Sequence, residues 1–397
     1  MASQLDSIAA LSDQKQKIEQ YKAALQSILA KGEVAQCESF VDHMLSEGVP
    51  LVVSRQLMAV FAQEIAKLPA DTHKEVAQYT LRKIQPRVVS YEEQVTVVRT
   101  NLAQLLEEEE DWSKAAQTLA GIDLDSGMRQ LDAEYRLSTN IKIAMLHLED
   151  DDAVSAETYI KKAASLIAAC KNEELELQYK TCYARILDSK RRFLQAATSY
   201  YELSQVGNRE IQGRKISEEE LQQALTSAVT CCILASAGPQ RSRILANLYK
   251  DERCAGLPVF PFLEKVYLER ILRREEVEAF AQSLAAHQRA MTPDGSTVLE
   301  RAVIEHNLAA ASKLYDNIYF SELGQLLGVD ASKAETTAAR MVSEDRLKGS
   351  IDQVDGLLCF DGSSDQLLLW DEQIQDVCNQ LNSIIDTMGD KGIKLEA

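Results

Sequence analysis

LEEEEDWSKAAQTLA, from Leu106 to Ala120, sets five carboxylates immediately before a tryptophan and a short helical pattern with apolar residues four apart. Ala115 lies four residues after Asp111, and Leu119 four after that. The same phase returns at Asp152 with Ala156 and Ile160, and at Arg192 with Phe193, Ala196 and Tyr200. Earlier in the chain, Glu33 leads to Cys37 and Val41, and Thr72 leads to Val76. Cys37, Val76, Ala115, Ala156 and Ala196 are spaced by 39, 39, 41 and 40 residues. A fixed period of this size marks stacked helical hairpins. A small residue at mid-helix lets a neighbouring helix approach closely, and the i, i+4 partner extends the apolar stripe. One hairpin cannot bury that stripe, whereas a stack can. The spacing therefore predicts a mostly all-α chain built as a TPR-like, right-handed α-solenoid. In the second unit Tyr79, not Thr80, looks apolar, which leaves the register there open.

Composition agrees. Gly (16) and Pro (7) are scarce in 397 residues, against an all-β barrel or sandwich with a turn every ~8–12 residues. A net charge of −18 repels phosphate and disfavours nonspecific binding to nucleic acid or an anionic membrane. The most apolar run, Ala228 to Gly238 (AVTCCILASAG), is too short to span a bilayer. The opening MASQLDSIAALSD has no basic n-region of a signal peptide. A cytoplasmic and nuclear setting is expected, with the eight cysteines reduced.

Catalytic signals are missing. None of Cys37, Cys170, Cys182, Cys231, Cys232, Cys254, Cys359 and Cys378 forms a Cys-x-x-Cys or Cys-x-x-His pair, which disfavours a zinc site. The histidines at 43, 73, 147, 287 and 306 include no i, i+2 or i, i+4 pair of the metal-hydrolase kind. Gly207 and Gly213 precede Arg214-Lys215, but the spacing is wrong for a P-loop and no Ser or Thr follows. No enzymatic activity, metal or cofactor is expected.

The predicted hairpin turns are charged. Glu107, Glu108, Glu109, Glu110 and Asp111 form one, Glu149, Asp150, Asp151 and Asp152 the next, and Lys190-Arg191-Arg192 a basic third. Carboxylates here offset the dipole of the following helix, or form an edge that orients a partner. Further on, Ser217-Glu218-Glu219-Glu220 signals a helix start, Gly238-Pro239 a stop, and Phe262 to Arg273 and Glu275 to Ala290 further helices.

After the turn-rich Met291 to Ser296, the order changes. A helix from Thr297 to Tyr315 precedes a β-like Asn317 to Phe320; Ser321 and Asp330 each read as the cap of a further helix. Strand-like Leu347 to Gln353 and Gly356 to Phe360 follow. Helix, strand, helix, helix, strand, strand is the order of a winged helix, with Ala331 to Arg346 as recognition helix. From Asp330 to Arg346, however, three basic residues face four acidic ones, and Leu299 to Asp361 carries six against eleven. A DNA reader needs Lys and Arg at phosphates, so a DNA-binding regulator is disfavoured. The alternative use of a small sheet is pairing at its edge with another chain. In the tail, Trp370, Ile374, Val377, Leu381, Ile384 and Met388 step by 4, 3, 4, 3 and 4, an apolar seam of coiled-coil type that wants a partner helix.

Helical hairpins, a winged helix and a final helix together resemble the PCI-domain family, scaffold subunits of the proteasome lid, the COP-nine signalosome and translation initiation factor three. CCILASAGPQRSRILANLYKDERC (Cys231 to Cys254), LERAVIEHNLAAASKLY (Leu299 to Tyr315) and IDQVDGLLCF (Ile351 to Phe360) resemble the signalosome branch, in a plant-like form. The resemblance implies a non-catalytic scaffold that supports and senses substrate for removal of a ubiquitin-like modifier from cullin–RING ubiquitin ligases. The implied partners are the other signalosome subunits, including the zinc metalloprotease subunit, with cullin–RING ligases as substrate. The corresponding division is a helical arm at 1–296 (PCI helical part from about 216), a winged helix at 297–362 and a bundle helix with tail at 363–397. The implied winged-helix contact is Ile318, Tyr319, Phe320, Leu347, Ile351, Leu357, Leu358 and Phe360; the implied bundle helix is Trp370 to Met388. A proteasome-lid or initiation-factor subunit is the rival with the same fold.

Overall fold

The computed structural model describes residues 5, 8, 14–46, 48–124, 131–168, 170, 172–206, 210–211, 214–215, 217–291, 295–360 and 366–390. The chain forms helical hairpins followed by a winged helix, and divides into two compact units, Met1–Ile186 and Leu187–Ala397.

In the first unit α1 (Gln14–Lys31), α2 (Val34–Met44), α3 (Leu51–Glu64), α4 (Ala70–Ile84), α5 (Glu92–Glu108), α6 (Trp112–Ala120), α7 (Ala133–Glu149) and α8 (Ala153–Ile167) follow one another, and α9 (Glu173–Ser189) runs across the division. The repeat positions Cys37, Val76, Ala115 and Ala156 are all fully buried, as is Ala196 in the second unit. The open register closes on Thr80: it is buried because its hydroxyl donates to the Val76 carbonyl at 2.7 Å, while Tyr79 stays half-exposed. Polar side chains join helices about one repeat apart. Gln94 donates to the Arg55 carbonyl (3.1 Å) and Asn101 to the Ala62 carbonyl (2.9 Å), both from α5 to α3.

The hairpin turns repeat in detail. Glu110, Asp151 and Arg191 each adopt the left-handed conformation, with φ of 61°, 58° and 59°. The N–H of the next residue closes back onto the preceding helix: Asp111 to Leu106 O (2.9 Å), Asp152 to His147 O (2.8 Å) and Arg192 to Leu187 O (2.8 Å). These are Schellman caps, usually built on glycine. Asp111 and Asp152 then cap the next helix through the Lys114 N–H and the Val154 and Ser155 N–H groups. Arg192 has no acceptor and makes no such bond.

The second unit holds α10 (Phe193–Ser204), a two-strand hairpin β1 (Glu210–Ile211) and β2 (Arg214–Lys215), α11 (Glu218–Leu234), α12 (Pro239–Lys250), α13 (Phe260–Tyr267), α14 (Arg274–Gln282) and α15 (Val298–Ala311). Gly207 and Gly213 lie outside the described residues. Ser217 caps α11 as its sequence predicts, accepting from the Glu219 N–H. The expected helix to Arg273 ends instead at Tyr267, where Glu269 turns left-handed (φ 52°) and the Arg270 N–H closes onto the Lys265 carbonyl (2.9 Å); beyond it the Asn307 side chain takes both the N–H (2.8 Å) and the carbonyl (3.2 Å) of Leu272. The expected Glu275–Ala290 helix breaks after Gln282 into a short 3-10 turn at Ala286–Arg289.

Thr297 and Glu300 form a reciprocal cap that opens α15. Then come β3 (Asn317–Tyr319), α16 (Phe320–Leu327), α17 (Ala331–Ser343), β4 (Gly349–Asp352) and β5 (Leu357–Phe360), in antiparallel order β3-β5-β4. The winged helix thus has the predicted order of elements. Ser321 lies inside α16 rather than at its cap, which is Tyr319, and Asp330 precedes α17 without a capping bond. The last helix, α18, spans Gln366–Asp390.

A left-handed residue with a Cβ costs about 1 kcal/mol. Glu110→Gly should therefore raise unfolding stability in urea by roughly 0.5–1 kcal/mol, and Glu110→Val should lower it. Arg192→Asp, which supplies the missing cap, should add about 1 kcal/mol.

Candidate protein-interaction site

The winged helix carries its charge inward. Glu305 on α15 is 1% exposed and accepts from Arg301 Nε (3.1 Å), Arg340 Nη2 (3.1 Å) and Arg346 Nη1 (2.6 Å). Burial alone would push this carboxyl up; the guanidiniums of Arg346 and Arg301 outweigh it and hold it below the ordinary value. Arg346 also donates to the Ala237 carbonyl (3.3 Å), and Arg241 to the carbonyls of Cys232 (3.0 Å) and Ile233 (3.1 Å), so two arginines close the end of α11. Of the three basic residues counted in the recognition helix, two are therefore bound to Glu305. Gln353 in the wing bonds Glu335 on α17 (2.9 Å). Lys333 is the remaining basic side chain of that helix, fewer than a row of phosphate contacts requires.

Of the eight residues expected at the sheet edge, Ile318, Phe320, Leu347, Leu358 and Phe360 are buried in the winged-helix core with Leu323, Ala334, Ala338 and Met341. Ile351 and Leu357 are half-buried, and Tyr319 is 52% exposed. Strand alternation explains the split, since Ile318 pairs with Leu358 and Tyr319 with Leu357. β5 is the central strand and is hydrogen-bonded on both sides, so the sheet's outer edges are β3 and β4. The predicted edge at Leu357 to Phe360 is corrected accordingly: it is the middle of the sheet.

Several carboxylates of the hairpin turns are engaged within the chain. Glu107 pairs with Lys142 (2.8 Å), Glu109 with Lys74, Glu149 with Arg185 (2.8 Å) and Asp111 with Lys114 (2.6 Å). Asp152 is a helix cap and lies 3.9 Å from His147. Glu108, Glu110, Asp150 and Asp151 are exposed.

The apolar seam of α18 is open to solvent. Trp370 is 67% exposed, Ile374 55%, Val377 56%, Leu381 53% and Ile384 55%. Met388 lies in the helix, but its side chain is outside the described ones. A helix whose stripe is this exposed gains little from its own packing. Among the described residues no group of His, Cys, Asp and Glu is placed to hold a metal, and no helix is long and apolar enough to cross a membrane.

Sequence reading missed the polar triplet at the centre of α15. Glu305, His306 and Asn307 are 1%, 4% and 4% exposed, each with its own partner. His306 Nε2 meets the Arg270 carbonyl at 3.0 Å. Burial first, and then the charge of Arg241, push its pKa down to about 4, against smaller upward contributions from the Arg270 carbonyl and Glu269. The available signal was three polar residues running inside an apolar helical pattern.

The family model described as PSMD12/CSN4, N-terminal matches residues 3–222, and the PCI domain matches residues 270–361. A protein of Arabidopsis thaliana named COP9 signalosome complex subunit 4 is 57% identical over 395 residues, covering 100% of both chains. Proteins of the same name from Dictyostelium discoideum and Drosophila melanogaster are 47% and 46% identical, covering 97% and 94% of this chain and 96% and 90% of their own.

Removing one partner of a buried ion cluster leaves the others uncompensated, so Glu305→Ala should cost about 3–5 kcal/mol in urea unfolding. His306 binds fewer protons folded than unfolded at mildly acidic pH. Its contribution is therefore complete above the ordinary histidine value and declines as pH falls toward about 4, at up to about 1.4 kcal/mol per pH unit. Stability measured from pH 7 to 4 should fall less steeply in His306→Gln.

Proposed function

The chain belongs to the COP9 signalosome subunit 4 family of PCI-domain proteins, and from that premise we propose that it is a non-catalytic scaffold subunit that supports and senses substrate for cullin deneddylation. The observation that carries this is the open apolar seam of α18, a surface suited to a partner helix. The relatives' shared name supports other signalosome subunits as its partners, the zinc metalloprotease subunit among them. Cullin–RING ligases are the proposed substrate, and cytoplasm and nucleus the proposed setting.

The parts then divide the work. Residues 1–296 form the arm that meets the cullin–RING end. Residues 297–362 pair with neighbouring PCI subunits through the outer edges β3 and β4, where main-chain groups do the joining and Tyr319 supplies an exposed side chain. Residues 363–397 enter a helical bundle. These are functional parts, cut differently from the two compact units. The exposed carboxylates Glu108, Glu110, Asp150 and Asp151 suit a basic partner surface.

Purifying the tagged chain from its own cells should recover a multi-subunit complex with chelator-sensitive deneddylase activity, while the chain alone is inert. Recovery of peptidase or ribosomal subunits instead would overturn the assignment. Val377→Asp with Leu381→Asp should leave the melting temperature of the isolated chain unchanged, because both side chains are solvent-exposed there. The same pair should abolish entry into the complex, since each apolar side chain buried in a bundle contributes about 1.5–3 kcal/mol. Normal incorporation would refute the bundle role.

A further inference from the structure

The open stripe of α18 lies on a helix of a single charge sign. Gln366–Asp390 holds Asp371, Glu372, Asp376, Asp386 and Asp390 and no Lys, Arg or His. Lys and Arg number 43 in 397 residues, so a stretch of 25 would carry two or three at the average of the chain. Five carboxylates along about 37 Å of helix therefore set up a negative field with no cation to interrupt it.

The positions beside the stripe carry no charge code. With Ile374 and Leu381 at a and Val377 and Ile384 at d, the g positions are Gln373 and Gln380 and the e positions Cys378 and Ile385. All four of these flanking side chains are exposed. Coiled coils commonly choose a partner by Glu and Lys at e and g, so here that choice is left to the net charge of the helix. Cys378 and Ile385 also widen the stripe beyond a and d, which raises its attraction for any apolar helix, a second copy of α18 included. Two copies laid together would bring ten carboxylates and no cation into the range of the Debye length, about 10 Å at 0.1 M salt. That juxtaposition opposes self-pairing, whereas a helix rich in Lys and Arg meets the same field with attraction.

We propose that α18 docks a basic amphipathic helix of a partner protein, and that its carboxylates bar it from pairing with α18 of a second copy. This deepens the bundle role proposed above and rests on it: the stripe supplies the attraction and the field selects the occupant. Selection acts at a distance, so it lies mainly in the rate of encounter and fades as salt is raised.

The test is fluorescence anisotropy of two labelled helical peptides titrated with the full-length chain, both with leucine at a and d, one with lysine and the other with glutamate at e and g. At about 50 mM salt the lysine peptide should bind at least tenfold more tightly, and at about 1 M salt the two should agree within about twofold. Sedimentation should show the chain as a monomer. Asp371→Asn, Glu372→Gln, Asp376→Asn, Asp386→Asn and Asp390→Asn together should make it a dimer, and adding Val377→Ser and Leu381→Ser should return it to a monomer. The proposal is overturned if the two peptides bind equally at low salt, if neither binds, if the neutralised chain stays monomeric, or if the unaltered chain forms a dimer that the two serines dissolve. If that happens while Val377→Asp with Leu381→Asp still blocks entry into the complex, the bundle role stands and only its occupant was misassigned; normal entry of that variant refutes the bundle role itself.

Discussion

One buried carboxylate sets the geometry of the winged helix. Glu305 sits where water cannot solvate it, and three guanidiniums from α15, α17 and the turn after α17 converge on its two oxygens. A charge in such a place is tolerable only when its partners arrive with good geometry. The fold is therefore specified in a way that apolar packing alone does not specify it: α17 must present Arg340 and the following turn must present Arg346. Arg346 reaches on to the Ala237 carbonyl, so the same cation closes the end of α11. The functional consequence is direct. Arg340 and Arg346, cations that a winged helix could offer to phosphate, are spent on its own interior.

The hairpin stack was legible because close helix packing repeats one demand at one spacing. Cys37, Val76, Ala115, Ala156 and Ala196 differ in chemistry but all are small enough for the crossing, and all are buried. Thr80 shows the limit of reading polarity alone, since a hydroxyl that bonds its own helix can occupy an apolar site. The seam of α18 was legible for the same local reason. Long-range pairings were not. The partners of Glu305 lie 4, 35 and 41 residues away, and Asn307, which holds the backbone of Leu272, is 35 residues downstream of it. At the sheet edge the strands were found but their facing was not. Ile318, Phe320, Leu358 and Phe360 alternate with period two onto one face, which makes them core, and strand order alone shows that β5 has no free edge.

Acidity in this chain is partly architecture. Several carboxylates of the hairpin turns cap the next helix or reach a basic residue about one repeat away, as Glu107 does with Lys142 and Glu149 with Arg185. Surface pairs of this kind contribute little singly, yet repeated along a row they discriminate against a slipped hairpin, because a shifted register would set like charges together. The left-handed residues at the turns follow the same economy of space: Glu110, Asp151 and Arg191 keep the links between helices short although each carries a Cβ.

The uncovered stripe on α18 has a bearing on how the protein is counted in the cell. A copy made in excess of its partners displays tryptophan, isoleucine, valine and leucine side chains to water, the kind of surface that chaperones and degradation receptors bind. A partner helix laid along the stripe would hide it, and under the bundle role proposed above its exposure would distinguish an unassembled copy from an assembled one.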